Sequence, residues 1–118
     1  MFMPKKLGRI LRGGMVNTIE YGKLAIADLQ EIGDYIEHEL HSPQAASNTV
    51  NRIMDSIDLL TLSPYMGKSA SSITDVETDM RILVCGSYLA FYYVQGDRIY
   101  IDRVIHSKRD YLAILFTR

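Results

Sequence analysis

The chain lacks the means for a disulfide. Cys85 is its one cysteine, so stability must come from a packed core, and such sparing use of cysteine suits a reducing cytoplasm. Long apolar runs are also missing. None approaches the roughly 18 to 20 residues that a membrane-spanning helix needs, so no membrane partner is expected. The sequence contains no internal repeat and no low-complexity tract. Histidines are few. His38 and His41 lie three residues apart without an evident third ligand, and at the end of a helix they fit its negative pole better than a metal. Neither a metal nor another cofactor is expected.

At 118 residues, 47% hydrophobic and 23% charged, the chain is in the range of a single globular domain with a modest core. Its net charge of −1 hides an asymmetry. Residues 1–14 carry Lys5, Lys6, Arg9 and Arg12 and no acid, whereas residues 15–118 hold nine basic and fourteen acidic residues, a net of −5. The leader is no secretion signal, because Gly8, Arg9 and Arg12 break its short apolar stretch. It reads as a disordered tail or as a start placed upstream of the true one at Met15; the alternative is a basic arm that touches nucleic acid. The domain proper is expected over residues 15–118.

Hydrophobic spacing gives the element order. Val16–Tyr21 is a β-prone run ended by Gly22. Ala25, Leu29, Ile32, Ile36 and Leu40 then recur at three- and four-residue steps, which predicts an amphipathic helix over 24–40. Ser42-Pro43 restarts the chain as an N-cap followed by proline at the first helical position. Ala46, Val50, Ile53, Ile57 and Leu60 mark a second helix, stopped by Ser63-Pro64. Residues 65–79 are polar and predict a loop. The period then changes to two, over Met80–Cys85, Tyr88–Val94 and Arg98–Ile105, with a hairpin signal in Gln-Gly-Asp. Ser107–Phe116 reads as a short helix or an extended tail. The order β-α-α-β-β-β predicts an α+β fold, an antiparallel sheet with a helical hairpin on one face.

The ordered pieces of the last third, RILVCGSYLAFYYVQGDRIYIDRVIHSKRD, resemble the signature of RelE/ParE-family toxins. The corresponding positions are Arg81, Gly86, Tyr88, Phe91-Tyr92, Asp97, Arg103-Val104-Ile105-His106 and Arg109-Asp110. The A-x-x-D-L-x-E-I-x-x-Y-I pattern of Ala25–Ile36, the Pro43 helix start and Ser63–Gly67 are similar too. The resemblance implies the toxin of a type II toxin–antitoxin module, causing growth arrest and neutralised in a hetero-oligomer by a cognate antitoxin. It also implies one of two targets, DNA gyrase for ParE-like members or ribosome-bound mRNA for RelE-like ones.

RNA cleavage through a 2′-hydroxyl needs a base, an acid and cations around the phosphate. Where RelE has an arginine after the strand-opening tyrosine, this chain has Leu89, and its loop before the sheet, residues 73–80, has three acids and no lysine. An acidic body likewise disfavours phosphate binding. The resemblance leaves Arg81, His106 and Arg109 as candidate catalytic residues should the chain be a nuclease. Tyr88, Tyr92, Lys108 and Asp110 are the candidates for target contact. Each also has a structural reading. Arg81 could pair with Asp79, Asp102 or another acid of the sheet face, His106 could bond the backbone or Asp110, and Asp110 could cap or orient the last segment while Arg109 is solvated or paired. Alternation puts Tyr88 and Tyr92 on one face, as core or as a platform. The balance favours a ParE-like toxin, with a ribosome-dependent nuclease second and a degenerate antitoxin-binding module third. The expected docking surfaces are the exposed sheet face and the hairpin, with Lys23, Arg52 and Lys68 as their basic part.

Overall fold

The computed structural model describes residues 17–75 and 77–116. The leader at 1–14 and the first residue of the expected opening strand lie outside them. Strand β1 is Thr18–Tyr21, helix α1 Lys23–Leu40 and helix α2 Pro43–Asp58. Strands β2 (Lys68–Ser69), β3 (Arg81–Cys85), β4 (Tyr88–Gln95) and β5 (Arg98–His106) follow, and helix α3 (Tyr111–Phe116) closes the chain.

The helical hairpin turns for identifiable reasons. α1 ends where His41 takes a left-handed conformation at φ 49°. Ser42 Oγ then accepts a hydrogen bond from the Ala45 N–H at 3.1 Å, and Pro43 opens α2 without losing a donor it needs. α2 tightens into a single 3-10 turn over Leu59–Thr61, where the Thr61 hydroxyl donates to the Asp58 carbonyl at 2.8 Å.

The sheet order is β1-β5-β4-β3-β2. Three pairings are antiparallel, but β1 lies parallel to β5, with Thr18 opposite Arg98 and Tyr21 opposite Ile101. The expected antiparallel sheet is present over β2–β5 and is extended by one parallel edge strand: the hairpin is a crossover that returns β1 alongside the final strand in the same direction. The stretch read as loop also holds β2, two residues paired with Ile82 and Arg81. Between β4 and β5 the loop is Gly96-Asp97, and Gly96 supplies φ +61° at no steric cost.

The sheet is covered on both faces. On the hairpin side, Leu29, Val50, Ile53, Met54 and Ile57 pack against Leu83, Cys85, Ala90, Tyr92, Ile99, Ile101 and Val104. On the other side Met80, Ile82, Leu89, Phe91 and Ile105 pack with Leu115 of α3. The face expected to lie open for docking is thus largely occupied by the chain's own C-terminal helix. β5 contains a bulge. Phe91 is opposite Arg103 and Tyr92 opposite Ile101, so Asp102 is the extra residue. The slip keeps both Ile101 and Val104 in the hairpin-side core although they are three apart.

A left-handed conformation costs a non-glycine residue about 1 kcal/mol or more. His41 is exposed, so His41→Gly removes that strain without opening the core. After the glycine's larger unfolded-state entropy is deducted, a gain of roughly 0.5 kcal/mol is expected. A higher urea midpoint at unchanged slope checks it.

Candidate functional site

A nearly buried ion pair joins α1 to the sheet. Asp28 Oδ2 accepts from Arg103 Nε at 2.7 Å and from the Val104 N–H at 2.9 Å, while Oδ1 accepts from Arg103 Nη2 at 2.8 Å. The two side chains retain only 11% and 15% exposure. Register explains the need. β1 stops opposite Ile101, so β5 from Asp102 onward has no strand on that edge, and the α1 carboxylate takes the place of one. Asp28 and its charge hold the Arg103 guanidinium above its ordinary pKa.

Arg81 is engaged elsewhere. Its guanidinium donates to the carbonyls of Tyr65 and Gly67 and lies 5.2 Å from the centre of the Tyr65 ring. Beside it the buried Tyr92 hydroxyl accepts from the Gly67 N–H at 3.0 Å and donates to the Pro64 carbonyl at 2.8 Å. A Cβ at Gly67 would stand 2.5 Å from the Ile82 carbonyl oxygen, so this turn admits only glycine without movement. Asp79 and Asp102, the expected partners, take no part in these contacts; two residues read as candidates for chemistry or target contact clamp the 64–67 turn.

The other candidates gather at the far end of the sheet. The Tyr88 and His106 rings meet edge to face at 5.1 Å, and Tyr88 is opposite His106 in the β4–β5 register. His106 Nδ1 accepts from the Lys108 N–H at 3.1 Å, which places the proton of the neutral ring on Nε2. The His106 carbonyl takes the Arg109 N–H at 3.0 Å. Asp110 Oδ1 accepts from the Ala113 N–H at 3.3 Å and starts α3. The backbone reading of His106 and the capping reading of Asp110 therefore describe their contacts. Lys108 and Arg109 are exposed.

A cleft of about 480 Å³ opens here between α1 and β5, with Tyr35, Tyr88, Arg103, His106 and Arg109 in its wall. A second, of about 690 Å³, lies beneath α2 on the other side of the same ring pair and reaches Cys85. Burial raises the Tyr88 phenol above its usual range, with Tyr35 adding to the effect. Burial also pushes the Cys85 thiol from 9.0 up to about 11, against hydrogen bonds from Ser56 and the Ala90 backbone that pull it down.

The structure does not bring Arg81 and His106 together. Arg81 is opposite Tyr92, whereas His106 is opposite Tyr88, which is opposite Cys85. Four residues of strand separate those rows, about 13 Å at the usual rise. Tyr88, His106 and Arg109 do share a cleft. Leu89 belongs to the α3-side core, and the loop beside Arg81 carries exposed Asp75, Glu77 and Asp79. Among the described residues, no group of three His, Cys, Asp or Glu could hold a metal, and no helix is long and apolar enough to cross a membrane.

The sequence model of one family, the ParE toxin of the type II toxin–antitoxin system parDE, matches residues 19–111. The chain belongs to the ParE toxin family. The match runs from β1 to the first residue of α3 and so takes in the hairpin, the whole sheet and both clefts. No curated protein sequence matches. Among solved structures, a chain of the chromosomal ParDE toxin–antitoxin system from P. aeruginosa is 23% identical, with a TM-score of 0.66 over 78% of this chain and 97% of that one. A chain of the toxin–antitoxin complex RelBE2 from Mycobacterium tuberculosis is 19% identical, with a TM-score of 0.50 over 78% and 99%. Both show the fold: an α+β arrangement with the two-helix hairpin on a mixed, mostly antiparallel five-stranded sheet.

Sequence reasoning did not single out Asp28 or Tyr35 as site residues, although both stand in the α1 pattern. Their spacing marks a helix face but not what that face meets 75 residues later. Two outcomes are expected from this geometry. Asp28→Ala, which strands a nearly buried guanidinium and a backbone N–H, lowers stability by about 3 kcal/mol in chemical denaturation. The raised Cys85 pKa favours the native state fully below pH 9.0, and that contribution disappears as pH climbs from 9.0 to about 11. The stability difference between the wild type and Cys85→Ala, followed across that window, is therefore expected to shrink.

Proposed function

We propose that this ParE-family chain is the toxin of a type II pair, held inactive by a cognate antitoxin, and that it arrests growth by inhibiting DNA gyrase. The observation that carries the second half is the separation of Arg81 from His106. A nuclease using this pair would need both groups about one scissile phosphate, within hydrogen-bond reach of the reacting atoms. Here they stand about 13 Å apart along the strands, and the Arg81 guanidinium already serves two carbonyls and a ring. The acidic loop at 75–79 and the buried Leu89 add no cation in their place. A toxin that acts by docking on a protein target needs no such constellation.

A second reading rests on its own observation. Tyr88, His106 and Arg109 line one cleft, with Lys108 exposed two residues on from His106, and such a set could serve a ribosome-dependent mRNA interferase, with Asp110 fixing the segment that carries the cations.

Both are tested by expressing the chain from a tightly repressed promoter. Growth arrest with intact messenger, double-strand DNA breaks and inhibited supercoiling by purified gyrase is expected. Ribosome-dependent messenger cleavage that disappears in His106→Ala and Arg109→Ala would establish the second reading in its place. An absence of any growth effect would leave only an antitoxin-binding module.

A further inference from the structure

Exposed apolar side chains concentrate where α2 gives way to the sheet. Leu62 is 75% exposed, Tyr65 66% and Leu59 55%, and Met66 is exposed beside Tyr65 in the chain. The Leu62 N–H donates to the Leu59 carbonyl at 3.1 Å, so the two leucines stand one 3-10 turn apart, where side chains eclipse. The next turn, closed by the Met66 N–H on the Ser63 carbonyl at 3.1 Å, carries Tyr65, whose ring lies under the Arg81 guanidinium. Together they form an apolar ridge at the end of the sheet where β1, β3 and β5 begin. Two features flank it. Asn17 donates to the Thr61 carbonyl from its N–H at 3.4 Å and from its side-chain amide at 3.1 Å, so the start of the domain is pinned between Leu59 and Leu62. The loop leading into β3 carries exposed Asp75, Glu77 and Asp79 and, from Ala70 to Met80, no cation. We propose that this ridge is the seat of the chain's own leader, residues 1–16, which lies outside the described residues. The inference is independent of the target proposed above.

The leader has the chemistry to fit. Met3, Leu7, Ile10 and Leu11 are spaced as one face of a helix, with Lys5, Arg9 and Arg12 falling on the opposite side. So short a helix is marginal alone in water and needs an apolar surface to form on. The ridge offers that surface, and the acids of the 75–79 loop offer the charge that matches the leader's basic side. Between Leu11 and the pinned Asn17 lie five residues, Gly13 and Gly14 among them. Extended, that link reaches roughly 20 Å, and its glycines allow the reversal that lays the leader back on the ridge. A short tether also holds the leader at an effective concentration on the order of millimolar, so it takes the ridge ahead of any free partner of similar affinity. A second copy of this chain is a poorer occupant, because a two-fold contact there would bring two acidic loops together.

The chain contains no tryptophan, so Leu7→Trp in the full chain supplies one probe on the apolar side of the leader. Its emission is expected to be blue-shifted from that of N-acetyltryptophanamide and unchanged on dilution. Leu59→Ser with Leu62→Ser, both surface positions, should return the emission to the exposed value while the circular dichroism stays the same. Reversal of the loop by Asp75→Lys, Glu77→Lys and Asp79→Lys should move it part of the way back. Val84→Ser, at an exposed apolar position near the other end of β3, should change nothing. A photocrosslinking residue placed at Leu62 in the otherwise unaltered chain is the second measurement, and it is expected to join the leader within one molecule. Exposed emission without such a crosslink overturns the proposal, as does a blue shift indifferent to the ridge leucines or to the loop. So does a shift that grows with protein concentration, or crosslinking only between molecules, since either places the ridge against a second copy.

Discussion

The Asp28 carboxylate is the joint on which the rest of this molecule depends. A parallel strand added to the edge of a sheet must be reached by a crossover, and here the crossover is the hairpin itself. β1 is too short to cover β5 along its length, so the last part of β5 would present unpaired backbone at the junction with α1. Asp28 meets that need with one oxygen on the Val104 N–H and both oxygens on Arg103. The bulge at Asp102 belongs to the same solution, since without the extra residue Val104 would face α3 and not the hairpin. With the joint made, α1 is held beside β5 at a separation that leaves a cleft instead of a sealed seam.

Much of this could be read in the sequence, and the parts that could not share a cause. Periodicity located both helices, because each buries one stripe on the sheet, and Ser42-Pro43 located the break between them. The three long strands emerged as β-branched and aromatic runs because both sheet faces are packed, which keeps Ile82, Leu89 and Phe91 apolar as well as Leu83, Ala90 and Tyr92. The direction of β1 was not legible, since a four-residue strand pairs either way by composition and only the path of the hairpin decides. β2 was hidden for the opposite reason: two residues carry no period. At the site, the resemblance selected positions but not their company. Arg81 was sought beside acids, and the structure gives it the carbonyls of Tyr65 and Gly67, backbone acceptors of a turn that no sequence pattern brings to it.

The two ends of the sheet have consequently diverged in character. Around Arg81 and Tyr92 the Tyr92 hydroxyl and the Arg81 Nη2 are directed inward, onto the main chain of one turn, while the Arg81 Nε is buried without a hydrogen-bond partner. Around His106 the polar groups are used locally as well, on Lys108 and Arg109 backbone and on the start of α3, but the side chains of Tyr88, Arg109 and Tyr35 still border open space. Of the two ends, the second is the one whose candidate side chains line a cleft.

Charge decides what can come to it. An acidic body repels a phosphate backbone over distances comparable with the Debye length, roughly 8 Å in physiological salt, before any local contact is made. The cations that remain are paired, stacked or few: Arg103 with Asp28, Arg98 with Glu20, Arg81 on Tyr65. Near His106, Arg52, Lys108 and Arg109 make only a weak handle for a polyanion. The same distribution is no obstacle to a protein partner, whose apolar side chains can enter the clefts and whose own charges can be chosen to match. Such a surface is better matched to a protein partner than to a polyanion, and Leu89, turned into the core under α3, adds no cation to it.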